Sequence, residues 1–449
     1  MNFNNLVGKA QGSLNKEKKL YSEGIWVGLI RIGNVALAFG LSVTLARILG
    51  SRQFGIYSQV LAILNILAAP VELGLPQLIV REVAKFIETK KFNLVKGILY
   101  WSIWAVLLSS AVVIILYAFL KPFTGEMITK EVHSALVWAL YLVPIFGLSA
   151  LFSSGIKGFT KIGIGQLHEM ILMPGLLILA IFGINLFDNI WYDPALVYQI
   201  QIATSLVSIS IGGAILWRYY HLIMPPDTVI EFKHKDWFLS ALSLSSVNGV
   251  QLINKWASLL ILGIFVKYAE LGVYRVALQI ALLADFGRMI VNPIIGPQIA
   301  KTYAANDQQK LQYYARLSAG WIFLINVVIY ILFILTGNFL IDVFFGSEYL
   351  AAYNVVLILL AGQVVDSITG SSVLFLTMTG FENNTAIVRF ITTTLNLTMV
   401  YIFSDLWGIN GAAIATSITL IIWNWIIFWV VKKKLNIYCL PFKIGADTR

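Results

Sequence analysis

Apolar residues in this chain come in continuous runs, separated by short polar stretches rich in lysine, glycine and proline. The runs fall at 24–48, 54–81, 97–120, 134–156, 163–187, 195–219, 238–265, 271–299, 316–341, 349–379, 384–404 and 408–431. A transmembrane helix needs about 20 mostly apolar residues. Continuous runs, rather than alternation at every second residue, select helices over a barrel. The pattern predicts an all-α integral membrane protein with about 12 transmembrane helices.

Short motifs recur in order between the two halves. Phe54-Gly55-Ile56-Tyr57 is echoed by Leu271-Gly272-Val273-Tyr274, and Pro76-Gln77 by Pro297-Gln298. Gly158-Phe159 returns as Gly380-Phe381, and Ile202-Ala203-Thr204-Ser205 as Ile414-Ala415-Thr416-Ser417. The expected architecture is two six-helix bundles related by a pseudo-twofold axis along the membrane normal, the parallel type of transporter repeat. The expected domains are an N-terminal segment (1–23), a first bundle (24–219), a linker (220–237), a second bundle (238–431) and a tail (432–449).

Composition agrees with the pattern. The chain is 59% hydrophobic and 12% charged, where a soluble domain carries roughly 25% charged residues. A net charge of +10 would suggest nucleic acid in a soluble chain. Here it reflects the lysine and arginine that collect in cytoplasmic loops, and nucleic acid is not an expected partner. Lys9, Lys16, Lys18 and Lys19 precede the first run, Arg81, Lys85, Lys90, Lys91 and Lys96 follow the second, and Lys432, Lys433 and Lys434 close the chain. Alternate loops carry Asp342, Glu348 or Asp405 instead. Both termini are therefore expected in the cytoplasm. The linker, with Pro225-Pro226, reads either as a basic segment lying along the membrane or as a solvated connection. Polar residues 1–23 lack a cleavage-site pattern, so the first apolar run is expected to direct insertion.

Ionisable groups inside apolar runs are costly and mark candidate sites. The cations are Arg31, Lys255 and Arg288, with Arg389 nearer a helix end; the carboxylates are Glu72, Asp285 and Asp366. A basic cavity suits a phosphate or diphosphate head group. Asn34, Asn254 and Trp256 lie near these charges, and amides and aromatic rings suit a sugar. Each has a plainer reading. Asp285 and Arg288 are three residues apart and can pair with each other, Arg31 and Arg389 can snorkel, and polar side chains glue helices together. His168-Glu169 reads either as a proton relay or as a satisfied internal pair. Cys439 is the single cysteine, no Cys/His spacing marks a metal site, and no GxSxG, P-loop or HExxH signature points to an enzyme.

The stretch LARILGSRQFGIYSQVLAILNILAAPVELGLPQLIVREVAK (45–85), with its echo LGVYRVALQIALLADFGRMIVNPIIGPQIAK (271–301), resembles the polysaccharide-transporter family of the multidrug/oligosaccharidyl-lipid/polysaccharide exporter superfamily, and most closely the Wzx-type O-antigen repeat-unit flippases. That resemblance implies two six-helix bundles around a V-shaped cavity in a bacterial inner membrane. The implied cargo is an undecaprenyl-diphosphate-linked oligosaccharide, moved from the cytoplasmic to the periplasmic leaflet. No cofactor is implied beyond a coupling ion, H+ or Na+, and the implied partners besides membrane lipids are a polysaccharide polymerase and a chain-length regulator. Family members often carry an acidic and then a basic residue where this chain has Ala257-Ser258, which removes a copied ion-coupling role from that helix. Two alternatives stand beside the flippase. A cation-coupled drug exporter of the same superfamily would want acids and aromatics in its cavity. A polymerase or ligase would want a large outer loop, and 120–133 is the longest outer connection.

Overall fold

The computed structural model describes residues 3–72, 74–124, 129–187 and 192–441. Among these the chain is helical, with no strand. In order the helices are α1 (Phe3–Glu72), α2 (Leu75–Glu88), α3 (Phe92–Thr124), α4 (Lys130–Leu140), α5 (Leu142–Gly158), α6 (Ile162–Leu167), α7 (Met173–Phe187), α8 (Pro194–Ile223), α9 (His234–Phe265), α10 (Tyr268–Ala281), α11 (Phe286–Ala304), α12 (Gln308–Phe344), α13 (Ala352–Ser367), α14 (Ser372–Met378) and α15 (Glu382–Leu435). A π-helical turn, His168–Leu172, joins α6 to α7, and a 3-10 turn, Leu282–Asp285, joins α10 to α11.

Two of these helices are too long for one crossing. At 1.5 Å per residue the 70 residues of α1 would run about 105 Å, against roughly 30 Å of hydrocarbon. The chain turns at Gly50 (φ 70°, ψ 170°), and α15 turns likewise at Gly408 (φ 57°, ψ −134°). A side chain at either position would meet the steric cost of positive φ. Helices α13 and α14 bend by 47° at their junction and count as one crossing. With these breaks the apolar helices match the run pattern of the sequence.

The outward faces are apolar. Leu186, Leu335 and Ile264 are more than 70% exposed, as expected of side chains whose solvent is lipid tails. Inside, small and hydroxylated residues carry the packing, because lipid offers no hydrophobic drive for helices to associate. Ser417 donates to the Ile358 carbonyl at 3.0 Å, with Gly362 against its β-carbon.

The chain divides into two compact units, Met1–Thr44 with Leu67–Gly249, and Leu45–Ile66 with Val250–Arg449. In the first, α5 packs on α2, α3 and α8. Thr129 caps α4 and Asp193 caps α8, the latter accepting from Leu196 N at 2.7 Å. In the second, residues 45–66 are gripped by the end of α12 and the start of α10. Arg47 Nε donates to Phe344 O at 2.7 Å, and its guanidinium also reaches Val343 O. Glu348 accepts from Ser51 N at 3.0 Å, and the buried Tyr349 hydroxyl donates to Ala46 O at 2.9 Å. Gly55 and Gly272 touch backbone to backbone: a β-carbon on Gly55 would lie 1.7 Å from Tyr268 O, and one on Gly272 would lie 2.2 Å from Ser51 O.

The chain after α15 also packs in this unit. Gln312 accepts from Tyr438 N and donates to Tyr438 O, both at 2.8 Å, and Gln308 donates to Leu435 O. Ile437 and Cys439 are fully buried with Ile299, Leu311 and Val431. Asp307 caps α12; the Lys310 backbone N–H and ammonium hold its carboxyl below the usual carboxylate range.

Candidate functional site

Three groups of polar side chains sit within the apolar helices, and each lies inside one unit. The first is built on α9 and α10. Lys255 is exposed midway along the apolar part of α9, and its Nζ lies 5.2 Å from the centre of the Trp256 ring. The Arg275 guanidinium of α10 lies 5.2 Å from the same ring. Trp256 is only 5% exposed, and its indole N–H finds no partner. Two cations on one indole are attracted by its quadrupole. They also keep two positive charges at a depth where charge is expensive. Asn254 is exposed beside them. One turn on, Ser258 donates to Asn396 Oδ1 at 2.9 Å, which ties α9 to α15.

The second group is an ion cluster. The 3-10 turn changes the helical phase just before α11, placing Asp285 at the end of the turn and Arg288 in the first turn of α11. Arg288 meets Asp285 at 3.4 Å, as the three-residue spacing predicts, but its other nitrogen pairs more tightly with Asp366 of α13. The Asp366 side chain is wholly buried, and its second oxygen has no hydrogen-bond partner. Nearby, Ser371 donates to Asn292 Oδ1 at 2.5 Å across the α13–α14 bend. The cluster therefore pins two interrupted helices together.

The third group lies in the N-terminal unit around the π-helical turn. Lys157 pairs with Glu169 at 2.6 Å, and Ser153 donates to the same carboxylate oxygen at 2.7 Å. His168 is buried and bonds Ser208 O through Nε2 at 2.9 Å. The adjacent residues thus have separate partners, and His168 Nδ1 is buried without one. Glu169 also lines a cavity of about 260 Å³ with Ser149, Gln201 and Ser205. Ser149 Oγ, Gln201 Oε1 and Ser205 Oγ are buried there without partners. The rest of the lining is apolar, from Leu41, Phe146, Ala150, Met173, Pro174 and Leu177.

The remaining predicted residues stand apart. Arg31 is exposed on α1, and Asn34 donates its amide to Met170 O at 2.7 Å. Arg389 lies over Trp423, 4.6 Å from the ring centre. The side chain of Glu72 lies outside the described residues. Reading by sequence missed Arg275, although it falls inside the apolar run 271–299, and Ser149, Gln201 and Ser205, whose residue types are common helix glue. It also paired Arg288 with its neighbour and not with Asp366, 78 residues away.

A family model described as "Polysaccharide biosynthesis protein" matches residues 20–303. Among curated proteins the chain is 24% identical over 389 residues to the "Probable low-salt glycan biosynthesis flippase Agl15" of Haloferax volcanii, covering 83% of this chain and 75% of that one. Among solved structures, an inward-facing multidrug resistance transporter of the MATE family, from the MOP superfamily, superposes with a TM-score of 0.71 at 15% identity, covering 90% of this chain and 94% of the other. The lipid II flippase MurJ in an inward closed conformation gives 0.70 at 14%, covering 90% and 87%. At such identities the two structures speak for the fold alone. With the family model spanning more than half of its length, the chain belongs to the polysaccharide biosynthesis protein family of membrane transporters, and not to an enzyme family.

Proposed function

We propose that the chain is a flippase that moves a lipid-linked oligosaccharide between membrane leaflets by alternating access. In its finer form the cargo is an undecaprenyl-diphosphate-linked repeat unit of O-antigen or a related surface polysaccharide, carried from the cytoplasmic to the periplasmic leaflet of a bacterial inner membrane. The observation that carries the reading is the Lys255–Trp256–Arg275 group, two cations on one indole inside an apolar span. Phosphate oxygens suit the cations. Kinship with a polysaccharide biosynthesis family and with a protein named as a glycan flippase supports the same class of cargo.

The roles follow from the placements. Lys255 and Arg275 attract the head group, and Asn254 offers an amide to a sugar hydroxyl. Arg288 and Asp366 set the shape of the α11–α13 region by binding each other. Asn34 and Arg389 serve packing. Asp285, with a side chain 45% exposed, is the more accessible carboxylate of that cluster. Outward movement of about two negative charges gains up to roughly 4–5 kcal/mol in a 100 mV inside-negative potential, so coupling to an ion can assist but is not required for direction.

Complementation of a flippase-deleted strain tests the reading. Wild type is expected to restore surface polymer and clear accumulated lipid-linked units. Lys255→Ala should restore polymer poorly at equal membrane abundance, and Lys255→Arg should restore most of it. Equal rescue by Lys255→Ala would remove the cation from the mechanism. Failure of the wild type with several lipid-linked cargoes would remove the reading itself.

A further inference from the structure

On the lysine-rich side of the N-terminal unit, the end of α2 and the start of α9 enclose a second cavity of about 360 Å³. It is lined by Arg81, Lys85 and Lys233, by the carboxylates Glu82 and Asp236, and by Trp237. From these residues we infer that it is a binding site for the phosphate-bearing head group of an anionic membrane phospholipid.

The charges are unequally engaged. Glu82, only 11% exposed, holds Arg81 at 3.0 Å and Lys85 at 3.8 Å, so one carboxylate serves two cations. Lys233 is exposed and has no ion-pair partner among the described residues. Asp236 sits in the first turn of α9, where the helix dipole favours a carboxylate. The cavity thus keeps a positive excess, with three cations against two carboxylates.

Its walls are fixed. Trp237 is 2% exposed, with its ring 5.7 Å from that of Trp101 on α3. The preceding linker is docked on α3, not free: Glu231 N donates to Asn93 O at 3.2 Å, and Lys96 Nζ to Thr228 O at 3.0 Å. Beside the cations the apolar side chains point outward. Val229, Phe232, Phe238, Leu239 and Leu242 are all exposed, around the basic sequence Lys233-His234-Lys235. Exposed apolar residues flanking a basic stretch are what a segment lying in the head-group layer requires. A soluble anion would have no use for them, whereas a phospholipid would place acyl chains on them and phosphate against Lys233. Basic pockets between helix ends on the cytoplasmic side recognise anionic lipids by this chemistry.

The test uses the full-length protein in nanodiscs of phosphatidylcholine, titrated with phosphatidylglycerol and read by native mass spectrometry. Wild type should retain phosphatidylglycerol in preference to phosphatidylcholine. The variant Arg81→Gln/Lys85→Gln/Lys233→Gln should lose roughly tenfold to a hundredfold in that preference, the scale expected of three cations near an anionic surface. Lys233→Gln alone should account for a large share, and it leaves the Glu82 pairs intact if the triple variant folds poorly. Lys432→Gln/Lys433→Gln/Lys434→Gln, on another lysine cluster, should bind as wild type does. Unchanged preference in the Lys233 and triple variants, or equal loss in the tail variant, would overturn the assignment. So would displacement of the lipid by inorganic phosphate, which would mark a site for soluble anions. The readout is lipid retention and needs no transport.

Discussion

At the scale of single residues, Arg288 and Lys255 look alike in sequence and differ in the structure. Arg288 is tied to a fully buried carboxylate, and Lys255 is exposed against an aromatic face. Removing one member of a buried pair strands a charge and costs about 3–5 kcal/mol, while replacing both with apolar residues of similar volume is often near neutral. Asp366→Ala is therefore expected to lower thermal stability in detergent by about that amount, and Arg288→Met/Asp366→Leu to recover most of it. Additive losses in that double-mutant cycle would mean that the two groups do not act as a pair. Lys255→Ala should leave the melting temperature unchanged. Cys439 provides a second check. Burial pushes its thiol up to about 12, and only the thiolate reacts. Maleimide labelling should be negligible in the folded protein at neutral pH and complete after denaturation, and Gln312→Ala, which frees Tyr438, should open it. Prompt labelling of the native wild type would show that the tail does not pack as described.

Among the elements, residues 45–57 have the tightest fit. The repeated motif was visible in the sequence because glycine stands at the same place in FGIY and LGVY, but its purpose was not. The reason is the mutual approach of Gly55 and Gly272, whose missing β-carbons would collide with opposing carbonyls. Sequence patterns show that a small residue recurs, but not which backbone presses against it. Gly55→Ala and Gly272→Ala should each destabilise by about 3 kcal/mol or more, at or beyond the usual range for overpacking. Gly320→Ala on α12, with no heavy atom near its β-carbon, should be neutral or gain up to about 1 kcal/mol of helix propensity. Thermal unfolding of the three variants decides the matter, and similar effects at all three positions would contradict the close contact. The twelve apolar runs were legible because run length and bilayer thickness fix one another. The break within α1 was legible as a glycine between runs, whereas Gly408, the break within α15, opens the run 408–431 and did not stand out. The π-helical and 3-10 turns left no pattern, since a shift of one residue in helical phase does not disturb an all-apolar run.

For the whole molecule, membrane class and helical architecture follow from hydropathy, because only helices and closed barrels satisfy the backbone in lipid and continuous apolar runs select the helices. The polar groups were only partly legible. Arg31, Lys255, Arg288 and Asp366 stood out as charges in apolar runs; Arg275 was an equal charge in such a run and was passed over, and the Glu169 cavity needed three-dimensional neighbours to gain meaning. The central claim is transport of a lipid-linked glycan, and purified protein reconstituted in proteoliposomes tests it most directly. An undecaprenyl-diphosphate-linked oligosaccharide is loaded in the membrane, and the fraction reached by an impermeant glycosidase is followed over time. The account predicts that wild type exposes the protected pool far faster than protein-free vesicles, and that Lys255→Ala slows this by about fivefold, the scale of one cation near an anionic head group. A folded wild type no faster than empty vesicles, with several lipid-linked oligosaccharides tried, would contradict it.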